Sequence, residues 1–84
     1  MKNTIFKPVE VISYFCNLEM KVLRFRKDNT VYKVSEVVSK WKVHEGERII
    51  THFTVICREQ NIVCELAFCH NDFKWEFIQY ENLD

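Results

Sequence analysis

Three dipeptides, Asp28-Asn29, Gln60-Asn61 and Asn71-Asp72, interrupt runs in which apolar and polar residues alternate. Asn and Asp tolerate the positive backbone angles of tight hairpins, so each dipeptide reads as a reversal between antiparallel strands. The registers that follow are specific. Around Asp28-Asn29, Phe25 faces Tyr32, Leu23 faces Val34 and Arg24 faces Lys33. Around Gln60-Asn61, Cys57 faces Cys64, Val55 faces Leu66 and Phe53 faces Phe68. Around Asn71-Asp72, Phe68 faces Trp75 and Leu66 faces Phe77. All three gather apolar side chains on one face, and a one-residue slip would turn them all to the other.

The remaining chain carries the same signal. Segments dense in Val, Ile, Phe, Tyr, Trp and Thr predict strands at 9–15, 21–27, 30–35, 36–43, 48–58 and 62–70, with a seventh at 73–80. Helix finds no place beyond a turn near Cys16 to Met20. The stretch Val34-Ser35-Glu36-Val37-Val38 breaks the alternation, because unbroken parity would bury the Glu36 carboxylate. A bulge or bend there switches parity and turns Val37, Ser39, Trp41 and Val43 inward. Six or seven short antiparallel strands in 84 residues predict one all-β domain over 1–84. The expected form is a small meander barrel, SH3-like, with a split two-layer β-sandwich as the alternative.

Composition removes several kinds of chemistry. One glycine and one proline cannot build a glycine-rich phosphate cradle or a dinucleotide fingerprint. The spacing Cys57-x6-Cys64-x4-Cys69-His70 does not match the close ligand pairs of structural zinc, so no metal and no cofactor is expected. Cys57 and Cys64 read as core thiols. Cys69 beside His52 is the one thiol–base contact the registers allow, and nothing orients it for nucleophilic work. The chain is therefore expected to be no enzyme. No apolar run follows Lys2 as a signal peptide would require, and none approaches the roughly 20 residues of a membrane span. A chain starting near Met1, a cytoplasmic location, reduced cysteines and no membrane contact are the expectations.

Charge is balanced overall but not along the chain. Residues 1–43 hold nine Lys/Arg and four acids, a net +5, and residues 44–84 hold three and eight, a net −5. Arg24, Arg26, Lys33, Lys40 and Lys42 fall on the outward parity and form the candidate nucleic-acid surface, along which a phosphate backbone could run. Phe25, Tyr32 and Trp41 are predicted inward, leaving Tyr14 and Tyr80 as the outward aromatics. Alternatively, the acidic second half folds over the basic first half and neutralises it. A protein partner is the other candidate. Ile12, Val31, Val38, Ile56, Val63 and Ile78 share the outward parity, and Val38, Ile56 and Ile78 are the candidate docking residues for a second copy or a larger protein.

The spacing Leu23-Arg24-Phe25-Arg26, Tyr32-Lys33-Val34, Glu36-Val37 and Trp41, followed by Cys64-Glu65-Leu66 and Trp75-Glu76-Phe77, resembles a family of small bacterial all-β proteins of unknown function. Members resembling this pattern are sometimes encoded beside, or linked to, error-prone DNA polymerases. The resemblance implies an accessory, non-catalytic role near nucleic acid or a larger protein.

Overall fold

The computed structural model describes residues 3–83, with side chains from residue 4 onward; Met1, Lys2 and Asp84, at the ends of the expected domain, lie outside the described residues. It is all-β, with eight strands and one short 3-10 turn among those residues. The strands are β1 (Asn3–Pro8), β2 (Glu10–Cys16), β3 (Glu19–Lys27), β4 (Thr30–Lys33), β5 (Glu36–Glu45), β6 (Arg48–Cys57), β7 (Ile62–Cys69) and β8 (Lys74–Asn82). They form two antiparallel sheets, ordered β1-β8-β7-β6-β5 and β2-β3-β4. The seven expected strands correspond to β2 through β8, and β1 is an addition that covers the outer edge of β8. Ladder pairing does not join the two sheets into a ring among the described residues. No helix there is long and apolar enough to cross a membrane.

The hairpin chemistry explains the connections. Asp28 and Asn29 both sit at positive φ, 52° and 64°, as the mirror-image turn requires, and Phe25 pairs with Tyr32 and Arg24 with Lys33 as expected. The β7–β8 reversal also keeps the expected register, with Phe68 opposite Trp75 and Leu66 opposite Phe77. The β6–β7 register differs by two residues. Arg58–Gln60 form a 3-10 turn and Asn61 adopts φ 57°, so the loop has four residues, Cys57 meets Ile62, and Val55 meets Cys64. A two-residue shift preserves parity, and the same side chains still face inward.

Two bulges redirect side chains. Leu23 is an extra residue in β3, because Ile12 pairs with Arg24 while the next residue, Ser13, pairs with Val22. Val22 therefore takes the inward position at 5% exposure and Leu23 turns outward at 41%, against expectation. Val38 is extra in β5 between the pairs Val37–Val55 and Ser39–Thr54. The parity switch near Glu36 does occur, since Glu36 pairs with the outward Ile56 and Val37 with the inward Val55. The bulge at Val38 then reverses parity again. Lys40 stands opposite Phe53 and Lys42 opposite Thr51, on the inner face, whereas Trp41 stacks on His52 on the outer face with ring centroids 5.1 Å apart.

The core lies between the sheets. Val22 and Phe25 of β3 meet Phe53, Val55, Cys57, Ile62, Cys64, Leu66, Phe68 and Phe77 of the larger sheet. Phe25 stacks on Tyr32 at 4.9 Å and reaches Phe77 at 5.8 Å, which ties one layer to the other. The three-stranded sheet has fewer strands than the five-stranded one, and at the β5 edge the inner-face residues Lys40 and Lys42 remain exposed.

Candidate functional site

Between that edge and the β2–β3 hairpin lies a cleft of about 750 Å³. Its floor is Thr51 and Phe53 of β6, Phe68 of β7 and Trp75 of β8, and its opposite wall is Ser13, Phe15 and Met20 of the β2–β3 hairpin. Phe68 and Trp75 pack at 5.0 Å and Phe53 and Trp75 at 5.4 Å, an aromatic layer in which Phe53 and Phe68 are buried and Trp75 is partly exposed. Lys40 and Lys42 line one side. Neither joins an ion pair among the described residues, and no Asp or Glu lines the cleft. The size lies within the usual range of ligand sites, about 300–1,000 Å³.

The mouth of the cleft is set by two reversals. The β2–β3 turn is Asn17-Leu18, both at positive φ, 52° and 65°, and the Leu18 side chain stands fully in solvent. In the β7–β8 turn Phe73 takes φ 54° and is 80% exposed. Phe15, 72% exposed, completes the rim. The β7–β8 turn is held against the β5–β6 turn by Asn71, whose Oδ1 accepts from Ile49 N at 3.0 Å and whose Nδ2 donates to Glu47 O at 3.2 Å. His70 Nε2 and Thr51 Oγ1 lie 2.7 Å apart and fix the side of the mouth nearest the floor.

The five cations expected on one face occupy two surfaces. Arg24, Arg26 and Lys33 project from the outer face of the three-stranded sheet, Arg24 directly opposite Lys33. Arg26 is neutralised by Glu10. Lys40 and Lys42, which the bulge at Val38 turns inward, belong to the cleft instead. The acids of residues 44–83 make no ion pair with any of the five, so neutralisation by the second half does not extend to them among the described residues. The candidate docking residues separate as well. Val38 is 52% exposed and Ile56 is half-buried, but Ile78 is buried at 9%. Ile78 is the extra residue of β8 opposite the Glu65–Leu66 step, and it lines an outer-face hollow together with Phe6 of the unforeseen β1.

The remaining chemistry is structural. Cys69 pairs with Ile50 rather than standing beside His52, because the β6–β7 register is displaced. His52 Nδ1 is 2.8 Å from Glu65 Oε2, and Gln79 donates to the other Glu65 oxygen at 3.0 Å. Arg48 donates to Cys69 Sγ at 3.3 Å, and this contact, helped by the Asp72 and Asn71 amides, holds the thiol below its ordinary pKa. Hydrogen bonding with Cys57 and burial push the Cys64 thiol well up. No group of three or more His, Cys, Asp or Glu stands together to hold a metal ion among the described residues.

No family model, curated protein or solved structure matches the chain.

Proposed function

We propose that the protein is a non-enzymatic binding module, an opened small barrel of the SH3-like kind, that takes an anionic ligand with an apolar body into the cleft between its sheets. One observation carries the reading: Lys40 and Lys42, without acidic partners among the described residues, stand on the inner face at the edge of a cleft otherwise lined mainly by aromatic and aliphatic side chains. Both lysines are exposed and unpaired at the edge of an apolar cleft, so their ammonium groups are available for charge-assisted hydrogen bonds to an anion seated there. Four free thiols suit a reducing, cytoplasmic setting.

The test is a titration with anilinonaphthalene sulfonate, an apolar anion whose emission rises out of water. Lys40→Glu with Lys42→Glu should weaken its binding at least about tenfold, equivalent to about 1.4 kcal/mol, while the circular dichroism stays that of the parent. Unchanged affinity in the double variant would remove the cleft from consideration.

A second reading rests on a separate observation, the like-charged Arg24 and Lys33 held directly opposite each other without an acid between them. Such a pair is destabilising unless an anion bridges it. Nucleic acid is the polyanion that this surface would meet, as an accessory module near a larger enzyme. Single-stranded oligonucleotide should then bind at low salt, weaken linearly in log affinity as salt rises, and fail to bind Arg24→Glu with Lys33→Glu. Binding that survives this double reversal rejects the outer surface. Docking of a second copy or larger protein through Val38 and Ile56 has lost its third residue, Ile78, to burial.

A further inference from the structure

Two residues at the mouth of the cleft occupy backbone positions that suit them badly. Leu18 and Phe73 are in the left-handed region, at φ 65° and 54°, where glycine or asparagine would be relaxed. Their side chains gain little from being there, since Leu18 is fully exposed and Phe73 80% exposed. Phe73 touches the floor only edge-on, at Phe68, 5.9 Å between centroids. With Phe15 they place three large apolar groups in water around one opening. Strained residues cluster where function selects them, and exposed apolar clusters mark surfaces that are covered in use.

The charges narrow what covers them. Lys40 and Lys42 are two residues apart on one strand face, roughly 6.6 Å along the strand, and each is a compact ammonium with donors only. One head group with two acceptor oxygens can take a hydrogen bond from each. The remainder of the lining is chiefly hydrocarbon, with Ser13 and Thr51 the only hydroxyls and Thr51 already engaged by His70. Sugars and base edges of a nucleic-acid strand would lie there without partners, at a desolvation cost. A methylene chain would not.

Resting on the reading of the cleft as the binding site, we infer that its occupant is a long-chain carboxylate, the chain lying against the partly exposed Met20 and Trp75 beneath the lips Phe15, Leu18 and Phe73, and the carboxylate held by Lys40 and Lys42. The ligand class is single-chain and anionic. The lips close over the chain and shed water when it enters.

In a Trp41→Phe background, Trp75 is the remaining tryptophan and its emission reports on the cleft floor. Decanoate, dodecanoate and tetradecanoate are titrated below their aggregation thresholds, beside dodecanol, dodecyl phosphate and a short oligodeoxythymidine. One carboxylate should bind per chain, about fourfold tighter for each added methylene until the cleft is full. Dodecanol should bind about tenfold more weakly, Lys40→Ala with Lys42→Ala should lower carboxylate affinity by a similar factor, and the same pair should leave dodecanol unaffected. Equal binding of dodecanol and dodecanoate overturns the proposal, as does a preference for the phosphate or displacement by the oligonucleotide. A dimer that Phe15→Ala with Phe73→Ala dissolves, and that takes up no amphiphile, overturns it in favour of a second copy. If the sulfonate dye depends on Lys40 and Lys42 but no carboxylate competes with it, the ligand class falls and the site stands. If the dye ignores both lysines, site and ligand class fall together.

Discussion

Phe77→Ala should lower stability by about 3–5 kcal/mol, enough to leave a domain of this size largely unfolded in dilute urea. Phe77 is wholly buried at the centre of β8, opposite Leu66, and touches Phe25 of the other sheet and Tyr80 of its own. The Lys27 ammonium lies over its ring, 5.1 Å from the centroid. Few side chains of the small sheet reach that deep, since only Val22 and Phe25 among its residues are buried. Removing the Phe77 ring therefore leaves a cavity at the junction of the layers. A melting curve should show the midpoint displaced by on the order of 20 °C. A shift below about 5 °C would mean that the two sheets are not held together through this contact.

Leu18→Gly and Phe73→Gly should each make the protein more stable and less able to bind. Relief of the left-handed backbone is worth roughly 1–2 kcal/mol per residue, reduced by glycine's larger unfolded-state entropy of about 0.5–1 kcal/mol. Little packing is lost in return, because both side chains stand mostly in water. The same substitutions remove apolar area that a cleft ligand would cover, at about 1.5–3 kcal/mol for a fully covered side chain, which is an affinity loss on the order of tenfold or more. Urea unfolding and dye titration on the same samples measure both effects. Opposite signs are the outcome that ties the strained lips to binding. Stability gained with unchanged affinity would make the strain an accident of the turns.

Where the chain alternates without interruption, the fold was legible from residue order. The pairings Phe25–Tyr32, Phe68–Trp75 and Leu66–Phe77 follow from turn chemistry and parity alone, and the structure has them. The departures have separate physical causes. Gln60-Asn61 is the end of a four-residue loop rather than a two-residue one, and a 3-10 turn carries no composition signal of its own. Leu18 hid the β2–β3 hairpin, because a leucine in the left-handed region is the opposite of a turn signature. The Asn3–Pro8 strand was missed since Pro8, which cannot donate to a ladder, reads as a boundary, yet it is tolerated on an edge. The cleft itself was invisible for one reason. Its lysines were assigned outward by a single parity switch near Glu36, and the second switch at Val38 has no marker, since a valine in a bulge looks like any valine in a strand.

That unmarked valine lets one sequence specify either of two cavities. Val38 is the unpaired residue, so a deletion there would straighten β5 and leave Ser39, Lys40 and Trp41 opposite Thr54, Phe53 and His52, facing as they do now. A one-residue slip that instead paired Val38 with Thr54 would set Trp41 opposite the inward Thr51 and carry both ammonium groups to the back of the sheet. The edge strand thus holds an anion receptor and a neutral aromatic pocket one register step apart, with no change of core.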